Sequence, residues 1–295
     1  MKNLFLVINP ESGMGRIKTE LFKVCDMLAR GGYRITLLIT TKKGDATEAV
    51  SQLDDTFDAI VVCGGDGTLN EVITGVMQNP NTYKIGYIPS GTLNEWSAGL
   101  EIPRRIPKAT EGILSGNEIA LDIGKFKDSY FSYTASFGAF TAASYSTPQN
   151  IKNVFGQVAY VLEGIRELGT IKPIHMKFTS DDEVYEGNYL FGAVSNAMSV
   201  GGIIKFEEGE VALNDGVFEV LLIEEPEKFA DLNQIIDAIV TRTFNCKCIK
   251  QFKTRHLTVE SQDVVDWTLD GEHAQSQGII DIINLHNAIK FIVPQ

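Results

Sequence analysis

The sequence has few cysteines, little basic charge and no apolar run long enough to cross a membrane. Four cysteines in 295 residues do not form a dense disulfide framework, so we expect reduced thiols and a cytoplasmic location. Lys and Arg number 26 against 38 Asp and Glu, and the resulting net charge of −12 argues against nucleic acid as the main partner. The composition, 44% hydrophobic and 22% charged, excludes a disordered or collagen-like chain.

The longest stretch without charged residues, 129–151, is long enough to span a bilayer. It contains many Ser and Thr residues together with Asn, Gln and Pro, and is therefore too polar to lie in hydrocarbon. We expect any membrane contact of this chain to be peripheral, without a transmembrane segment.

Short apolar strands alternate with helices in the first third of the chain. The predicted strands are 4–9, 33–40, 59–63 and 84–88, and the predicted helices are 19–30, 45–53 and 70–77. Nearly continuous apolar strands that alternate with helices are typical of a parallel sheet covered on both faces. The first part of the chain is therefore predicted to be an α/β domain.

The pattern changes after about residue 120. Alternating residues predict strands at 130–134, 175–179, 189–194, 218–223 and 257–259, with helices at 158–168 and 229–241. This part is predicted to be mostly antiparallel, as a β-sandwich or barrel. We expect one domain over 1–120 and a second over 121–295, with the last residues returning to the first.

A glycine-rich loop gives the strongest chemical signal. The sequence Gly64-Gly65-Asp66-Gly67-Thr68 lies between a predicted strand and a predicted helix. Glycines at such a turn let the backbone approach a ligand, and a helix N-terminus favours an anion. The carboxylate of Asp66 suggests that this loop also handles a metal ion or a proton. The alternative is a plain tight turn, in which Asp-Gly is common.

Two further loops have the same design. One is Asn9-Pro10-Glu11-Ser12-Gly13-Met14-Gly15, and the other begins Pro89-Ser90-Gly91-Thr92. Three such loops at the carboxyl ends of strands in one sheet are expected to meet at one crevice. Neither a Walker A loop nor a G-x-G-x-x-G fingerprint occurs, so neither of those nucleotide-binding motifs accounts for the pattern.

The chain resembles the diacylglycerol kinase catalytic family, in particular its bacterial lipid kinases, which are related to the sphingosine kinases. The resemblance rests on these three loops, on Asn214-Asp215-Gly216 and on Leu269-Asp270-Gly271-Glu272. It implies an NAD-kinase/phosphofructokinase-like parallel-sheet domain followed by a β-sandwich lipid-substrate domain. The implied activity is Mg²⁺-dependent transfer of the ATP γ-phosphate to a lipid hydroxyl, most simply from ATP to diacylglycerol. The implied partners are a lipid at the inner face of the membrane and a second copy of the chain.

The resemblance also implies roles for individual residues. Asp270 is expected to be the general base with Glu272 beside it, while Asp66 is a rival base by likeness to the sphingosine kinases. A Mg²⁺ ion is expected at Asp215 with the backbone carbonyls of Ala212 and Val217, although Asn-Asp-Gly also suits a hairpin turn. The residues implied in nucleotide binding are Asn9, Pro10, Ser12, Gly13, Thr40, Gly64, Gly65, Asp66, Gly67, Thr68, Leu69, Asn70, Glu71 and Thr92.

The third loop departs from the family pattern Gly-Thr-x-Asn-Asp-Phe-Ala-Arg. Here it reads Gly91-Thr92-Leu93-Asn94-Glu95-Trp96-Ser97-Ala98, so that the carboxylate is one methylene longer and the arginine is absent. Metal geometry or substrate choice is expected to differ as a result. A non-catalytic nucleotide- or lipid-sensing protein is therefore one alternative. An NAD kinase, which shares the Gly-Gly-Asp-Gly-Thr loop, is the other.

Two segments are candidates for lipid contact. Five aromatic residues in or near the charge-free stretch could line an acyl-chain pocket, although a place in the core of the second domain suits each of them better. They are Phe131, Tyr133, Phe137, Phe140 and Tyr145. The segment 242–255 carries five basic and no acidic residues, and could lie against anionic lipid. A solvated strand face is the alternative for that segment.

Overall fold

The computed structural model describes residues 1–92, 94–139, 172–196, 199–200, 204–205, 213–241 and 243–295. The chain divides into two compact units. The first contains 1–121 together with 287–295, and the second contains 122–286. None of the helices in the described ranges is both long and apolar enough to cross a membrane.

The first unit is built on parallel strands. They are β1 (Lys2–Ile8), β2 (Tyr33–Ile39), β3 (Ala59–Gly64) and β4 (Lys84–Pro89), in the order β2-β1-β3-β4. Lys290 and Phe291 from the end of the chain extend this sheet by pairing in parallel with β4. All six residues of β3 are buried, in keeping with their nearly continuous apolar sequence.

Strand β1 lies between β2 and β3, so the strand order reverses there. The connection from β1 leads to β2 on one side, and the chain returns to β3 on the other. Such a switch point leaves a crevice at the carboxyl ends of the two central strands, where open α/β sheets bind ligands. Asn9 follows β1, and Gly65 follows β3. The topology therefore brings two of the three predicted loops to this crevice.

The helices of the first unit connect these strands. They are α1 (Arg16–Arg30), α2 (Asp45–Ser51), α3 (Asp66–Gln78), α4 (Glu95–Gly99) and α5 (Ile106–Ser115). The predicted start of α3 at residue 70 was wrong, because the helix already begins inside the glycine-rich loop. Gly65, with an extended backbone, is its N-cap. Helix α1 also begins earlier than the predicted residue 19. It starts at Arg16, directly after its N-cap Gly15, which has a left-handed backbone.

The second unit is rich in antiparallel strand pairs. Its strands are β5 (Asn117–Phe126), β6 (Ser129–Phe131), β7 (Thr134–Gly138), β8 (Ile174–Thr179), β9 (Val184–Ser195), β10 (Ser199–Val200), β11 (Ile204–Lys205), β12 (Phe218–Glu224), β13 (Ile249–Thr254), β14 (His256–Leu269) and β15 (Glu272–Val293). Strands β5 and β15 begin in one unit and end in the other. The predicted helix at 229–241 is confirmed as α6 (Phe229–Thr241), whereas the predicted helix at 158–168 lies outside the described residues.

Two long strands close the second unit around an aromatic core. Both β9 and β14 pair with β8 along one part of their length and with β7 along another. Phe137 and Phe178 are stacked in this core, and Trp267 packs against Phe137 with ring centroids 4.9 Å apart. Helix α6 covers a second cluster on β9 and β12.

The predicted strand at 130–134 is interrupted. Strand β6 ends at Phe131 and β7 begins at Thr134. The prediction of one continuous strand was wrong, because the backbone at Ser132 and Tyr133 turns its amide groups toward a carboxylate from elsewhere in the chain. That carboxylate belongs to Asp270.

Candidate functional site

The first loop is tied to the second by hydrogen bonds. The backbone N–H of Asn9 donates to the carbonyl of Cys63 (3.0 Å), and its side-chain amide donates to the hydroxyl of Thr68 (3.1 Å). The side-chain oxygen of Asn9 accepts from the backbone N–H of Glu11 (3.0 Å), which shapes the turn before Ser12. Asn9 therefore joins the ends of β1 and β3 at the crevice.

The third loop is fixed to the second in the same way. The N–H of Ser90 donates to the carbonyl of Gly64 (2.8 Å). Asn94 adopts a left-handed backbone (φ 51°), and its side chain both accepts from the N–H of Gly91 (2.9 Å) and donates to the carbonyl of that residue (2.7 Å). The loop is held by its own asparagine, while Leu93 lies outside the described residues.

Glycines allow these loops to pack backbone against backbone. A Cβ atom on Gly13 (φ +55°) would lie 1.7 Å from the carbonyl oxygen of Ser90, and one on Gly91 would lie 2.6 Å from the Cα of Gly65. No side chain fits at either place without a shift of the backbone. The sequence prediction that the three loops meet is confirmed by these contacts.

The N-terminus of α3 points its amide groups into this cluster of loops. Within the described ranges no side chain caps α3, whose first residues are Asp66, Gly67 and Thr68. The first amide groups of a helix have no partner within the helix and carry partial positive charge. Gly67 is exposed, and nothing lies within 4 Å of the place a Cβ would take on it. The arrangement is suited to binding an anionic oxygen.

Asp66 lies partly buried in the first turn of α3. Its carboxylate accepts a long hydrogen bond from the backbone N–H of Trp96 (3.4 Å), at the start of α4. The Trp96 ring is buried and stacks on Phe291, with centroids 5.2 Å apart. Trp96, the aromatic residue of the third loop, thus has a packing role that the sequence did not reveal.

Three other predicted nucleotide contacts are used internally. The side chain of Leu69 is fully buried in the core, and the hydroxyl of Thr40 donates to the carbonyl of Ile8 (3.3 Å). The carboxylate of Glu71 accepts from the backbone N–H groups of Gly44 (3.0 Å) and Ala46 (3.3 Å) and thereby caps α2. These side chains position the loops.

Asn70 differs from these internal residues. Its side-chain Oδ1 is buried and has no hydrogen-bond partner in the part of the chain that the structure describes. A buried acceptor without a partner is costly, and a bound group with a donor offsets that cost. Pro10 is half-buried and Ser12 is buried at the turn after β1, while Thr92 is exposed in the third loop.

The carboxylate of Asp270 accepts four hydrogen bonds within the second unit. Asp270 lies in the turn between β14 and β15 with a left-handed backbone (φ 49°). One oxygen accepts from the N–H (2.6 Å) and the hydroxyl (2.8 Å) of Ser132, and the other accepts from the N–H groups of Tyr133 (2.9 Å) and Thr134 (2.9 Å). Burial raises the pKa of Asp270, and these four donors oppose the rise.

Ser132 was missed by sequence reasoning. Nothing in the local sequence indicates that a loop more than a hundred residues away receives the carboxylate of Asp270. The only signal is the polar Ser-Tyr-Thr in a strand that is otherwise apolar. Glu272, predicted to lie beside the base, is exposed on the far side of Gly271, where it pairs across the hairpin with Leu269.

Asp215 lies on a turn that is closed by its own side chain. One of its oxygens accepts from the backbone N–H of Val217 (3.2 Å), and the other lies 4.0 Å from the ammonium of Lys253. The buried carboxylate of Asp122 accepts from the N–H of Gly216 (2.7 Å) in the same turn. Ala212 lies outside the described residues. Among the residues that are described, no group of three or more His, Cys, Asp or Glu side chains could hold a metal ion.

The two candidate lipid contacts have different outcomes. Phe131 and Phe137 are fully buried in the core, which confirms for these two the core position that the sequence favoured over an acyl-chain pocket. Tyr133 is half-buried, and Phe140 and Tyr145 lie outside the described residues.

The lysines of the basic segment are paired with acids. Lys247 lies 3.2 Å from Asp231, and Lys250 lies 3.6 Å from Glu224. Lys253 lies 2.9 Å from Glu219. These acids come from other parts of the sequence, so the segment is less basic in the fold than it is along the chain.

Comparison with known proteins gives matches along nearly the whole chain. Residues 3–126 match the model of the diacylglycerol kinase catalytic domain, and residues 135–283 match that of the YegS C-terminal NAD kinase beta sandwich-like domain. A diacylglycerol kinase of Staphylococcus saprophyticus is 33% identical over 92% of this chain and 89% of its own length. A diacylglycerol kinase of Staphylococcus aureus is 31% identical over 99% of this chain and 93% of its own length. The crystal structure of a proposed diacylglycerol kinase from Bacillus anthracis has a TM-score of 0.83 at 25% identity, over 99% of this chain and 97% of that one.

Proposed function

The chain belongs to the diacylglycerol kinase family, and from this premise we propose that it transfers the γ-phosphate of ATP to a lipid hydroxyl. Diacylglycerol is the proposed acceptor and phosphatidic acid the product. The observation that carries the proposal is the meeting of three glycine-containing loops at the N-terminus of α3. Backbone amide groups and a helix N-terminus provide the positive potential that triphosphate binding needs.

The proposed nucleotide contacts come from the backbone of these loops. They are the amide groups of Gly13 and Gly65–Thr68, with Asn9, Ser12 and Thr92 beside them; the amide of Ser12 itself donates to the carbonyl of Asn9 (3.3 Å). Asn70 is included because its buried oxygen has no partner among the described residues. Phosphoryl transfer depends mainly on positioning and charge neutralisation, and a fixed cluster of loops supplies the positioning.

Asp215 and the carbonyl of Val217 are the proposed Mg²⁺ ligands, with the carbonyl of Ala212 as expected from the family. Carboxylate and carbonyl oxygens are the ligands that this cation prefers. When bound, Mg²⁺ neutralises negative charge. The turn offers oxygen ligands for the ion, because only one carboxylate oxygen of Asp215 accepts the hydrogen bond from Val217 and the second lies 4.0 Å from the ammonium of Lys253, too far for a hydrogen bond.

Asp270 is the proposed acceptor of the lipid proton. The lipid oxygen forms a bond to the γ-phosphorus while the bond to the ADP oxygen breaks, and the hydroxyl proton must leave. The oxygens of Asp270 already accept four hydrogen bonds, three of them from backbone amides that keep their protons. The Ser132 hydroxyl is the donor that can pass its proton to Asp270 and take the lipid proton in exchange. Asp66 is the alternative base.

The lipid acceptor implies contact with a membrane surface. We propose peripheral association at the inner face of the membrane in the cytoplasm, and a homodimer as in the expectation from the family. Because the lysines of 247–253 are paired with acids, that segment alone does not provide an anionic-lipid surface.

Two other functions have a specific observation in their favour. An NAD kinase-like activity is favoured by the Gly-Gly-Asp-Gly-Thr loop and by the match of the second unit to an NAD kinase-like sandwich domain. A sensing role without catalysis is favoured by the altered third loop, in which Trp96 is packed on Phe291.

The test is transfer of label from γ-labelled ATP with Mg²⁺ to diacylglycerol in mixed micelles, run beside NAD as acceptor. We expect labelled phosphatidic acid, lost at least 100-fold in Asp270→Asn, since general base catalysis typically contributes at least that much. Asp266→Asn is the matched control, because it removes an exposed carboxylate from the same hairpin. Labelled NADP without labelled lipid would contradict the proposal and favour the NAD kinase. Tight ATP binding without either product would favour the sensor.

A further inference from the structure

An ion pair with a buried carboxylate lies beside the proposed Mg²⁺ turn. Glu219 on β12 and Lys253 on β13 are direct partners across these antiparallel strands. Only 3% of the Glu219 side chain is exposed, and its carboxylate lies 2.9 Å from the ammonium of Lys253. The same ammonium lies 4.0 Å from Oδ2 of Asp215, the oxygen that does not accept from Val217. One lysine therefore stands between two carboxylates of different burial.

Glu219 holds Lys253 in this position. The other strand neighbour of Glu219 is Ser195, a neutral residue. A buried carboxylate needs a positive partner, and burial raises the pKa of Glu219 while Lys253 lowers it. Lys253 is about half-exposed, so its charge also acts on its surroundings. The ion pair thus fixes a positive charge near Oδ2 of Asp215.

From this geometry we propose that Lys253 is an internal counter-ion of the Asp215 turn. Its positive charge weakens the binding of a divalent cation at Asp215, and Glu219 restrains the position of that charge. The inference rests on the proposed Mg²⁺ ligands and does not depend on the lipid acceptor. A cation bound at Asp215 has a like charge within a few ångströms. Glu219 limits that repulsion, because its carboxylate lies 2.9 Å from the ammonium and holds Lys253 at 4.0 Å from Asp215.

The proposal gives changes of opposite sign for the two members of the pair. Lys253→Met removes the like charge, and Mg²⁺ should bind about tenfold more tightly, the change expected when a divalent ion in water loses a positive charge about 6 Å away. Glu219→Gln removes the restraint, so that Lys253 turns to Asp215 and Mg²⁺ binds more weakly. The double variant Glu219→Gln/Lys253→Met should again bind more tightly than wild type.

The experiment is calorimetric titration of the full chain with MgCl₂ at constant ionic strength, without nucleotide or lipid. Lys250→Met is the matched control, because it removes the same charge from the same strand three residues away, where the lysine pairs with Glu224. We expect Lys250→Met to bind Mg²⁺ as wild type does. Circular dichroism of each variant establishes that it is folded, and the double variant avoids leaving an unpaired charge in the sheet.

The outcomes separate the inference from the metal site on which it rests. Loss of Mg²⁺ binding in Asp215→Asn together with tighter binding in Lys253→Met supports both. Loss in Asp215→Asn with unchanged or weaker binding in Lys253→Met overturns the counter-ion role alone. Unchanged binding in Asp215→Asn means that the ion binds elsewhere, and then both the metal assignment and this inference are wrong.

Discussion

The carboxylate of Asp270 accepts hydrogen bonds from three backbone amides and from the Ser132 hydroxyl. A carboxylate has about four acceptor positions, so all of them are used within the second unit. A proton can reach Asp270 only if one donor gives way, and a backbone amide cannot lose its proton. Asp66, the other candidate base, accepts a hydrogen bond of 3.4 Å from the backbone N–H of Trp96. The choice between the two candidate bases therefore depends on Ser132.

Substitution of Ser132 tests the Asp270 assignment. If the hydroxyl passes the proton, Ser132→Ala should lower kcat by about 10- to 100-fold and leave the KM for ATP unchanged, while Ser132→Thr should restore most of the rate because it keeps a hydroxyl. Steady-state kinetics with diacylglycerol measures both effects. Ser129→Ala, an exposed serine on the adjacent strand β6, is the control.

A wild-type rate in Ser132→Ala together with a large loss in Asp66→Asn would assign the base to Asp66. In that case the four bonds to Asp270 serve to anchor the loop between β6 and β7. The sequence could not decide this question, because the donors to Asp270 lie more than a hundred residues from it.

At the scale of the element, the sequence predicted most strands and helices but missed how some of them begin and end. Helix α6 has the predicted bounds, because its apolar residues recur at helical spacing and face a buried cluster. The early start of α3 was missed because Gly65 at the N-cap and Gly67 in the first turn weaken the helical signal. The first turn also carries the amides that are proposed to bind the nucleotide, so the error falls on the proposed site itself.

Glu71 was predicted to contact the nucleotide, but in the structure its side chain stabilises the start of helix α2. Its carboxylate caps α2 through Gly44 and Ala46, so Glu71→Gln should destabilise the chain by about 1–2 kcal/mol. The amide keeps the shape but replaces one acceptor with a donor. Urea unfolding measures the loss, and Glu48→Gln, an exposed acid of α2, is the control. Unchanged stability with weaker ATP binding would instead return Glu71 to the nucleotide contacts.

At the scale of the whole molecule, the last residues of the chain belong to the unit that contains the first. We expected this return from the sequence, but the apolar pattern at 289–293 does not say which strand receives it. Residues 287–295 group with 1–121, and Lys290 and Phe291 pair with β4. Partners of this kind depend on the complete fold, which is why local patterns could give the class of each unit but not the C-terminal strand that pairs with β4.

The two tryptophans allow this completion to be measured, because Trp96 lies in the first unit and Trp267 in the second. Phe291 is fully buried and stacks on Trp96, so Phe291→Ala should destabilise the first unit by about 3–5 kcal/mol through loss of the ring and the cavity that remains. In a Trp267→Phe background, Trp96 fluorescence should report unfolding at a clearly lower urea concentration. Phe22→Ala, at an exposed phenylalanine of α1, should leave that midpoint nearly unchanged. If Phe291→Ala behaves like Phe22→Ala, the C-terminal residues do not stabilise the unit that carries the nucleotide loops.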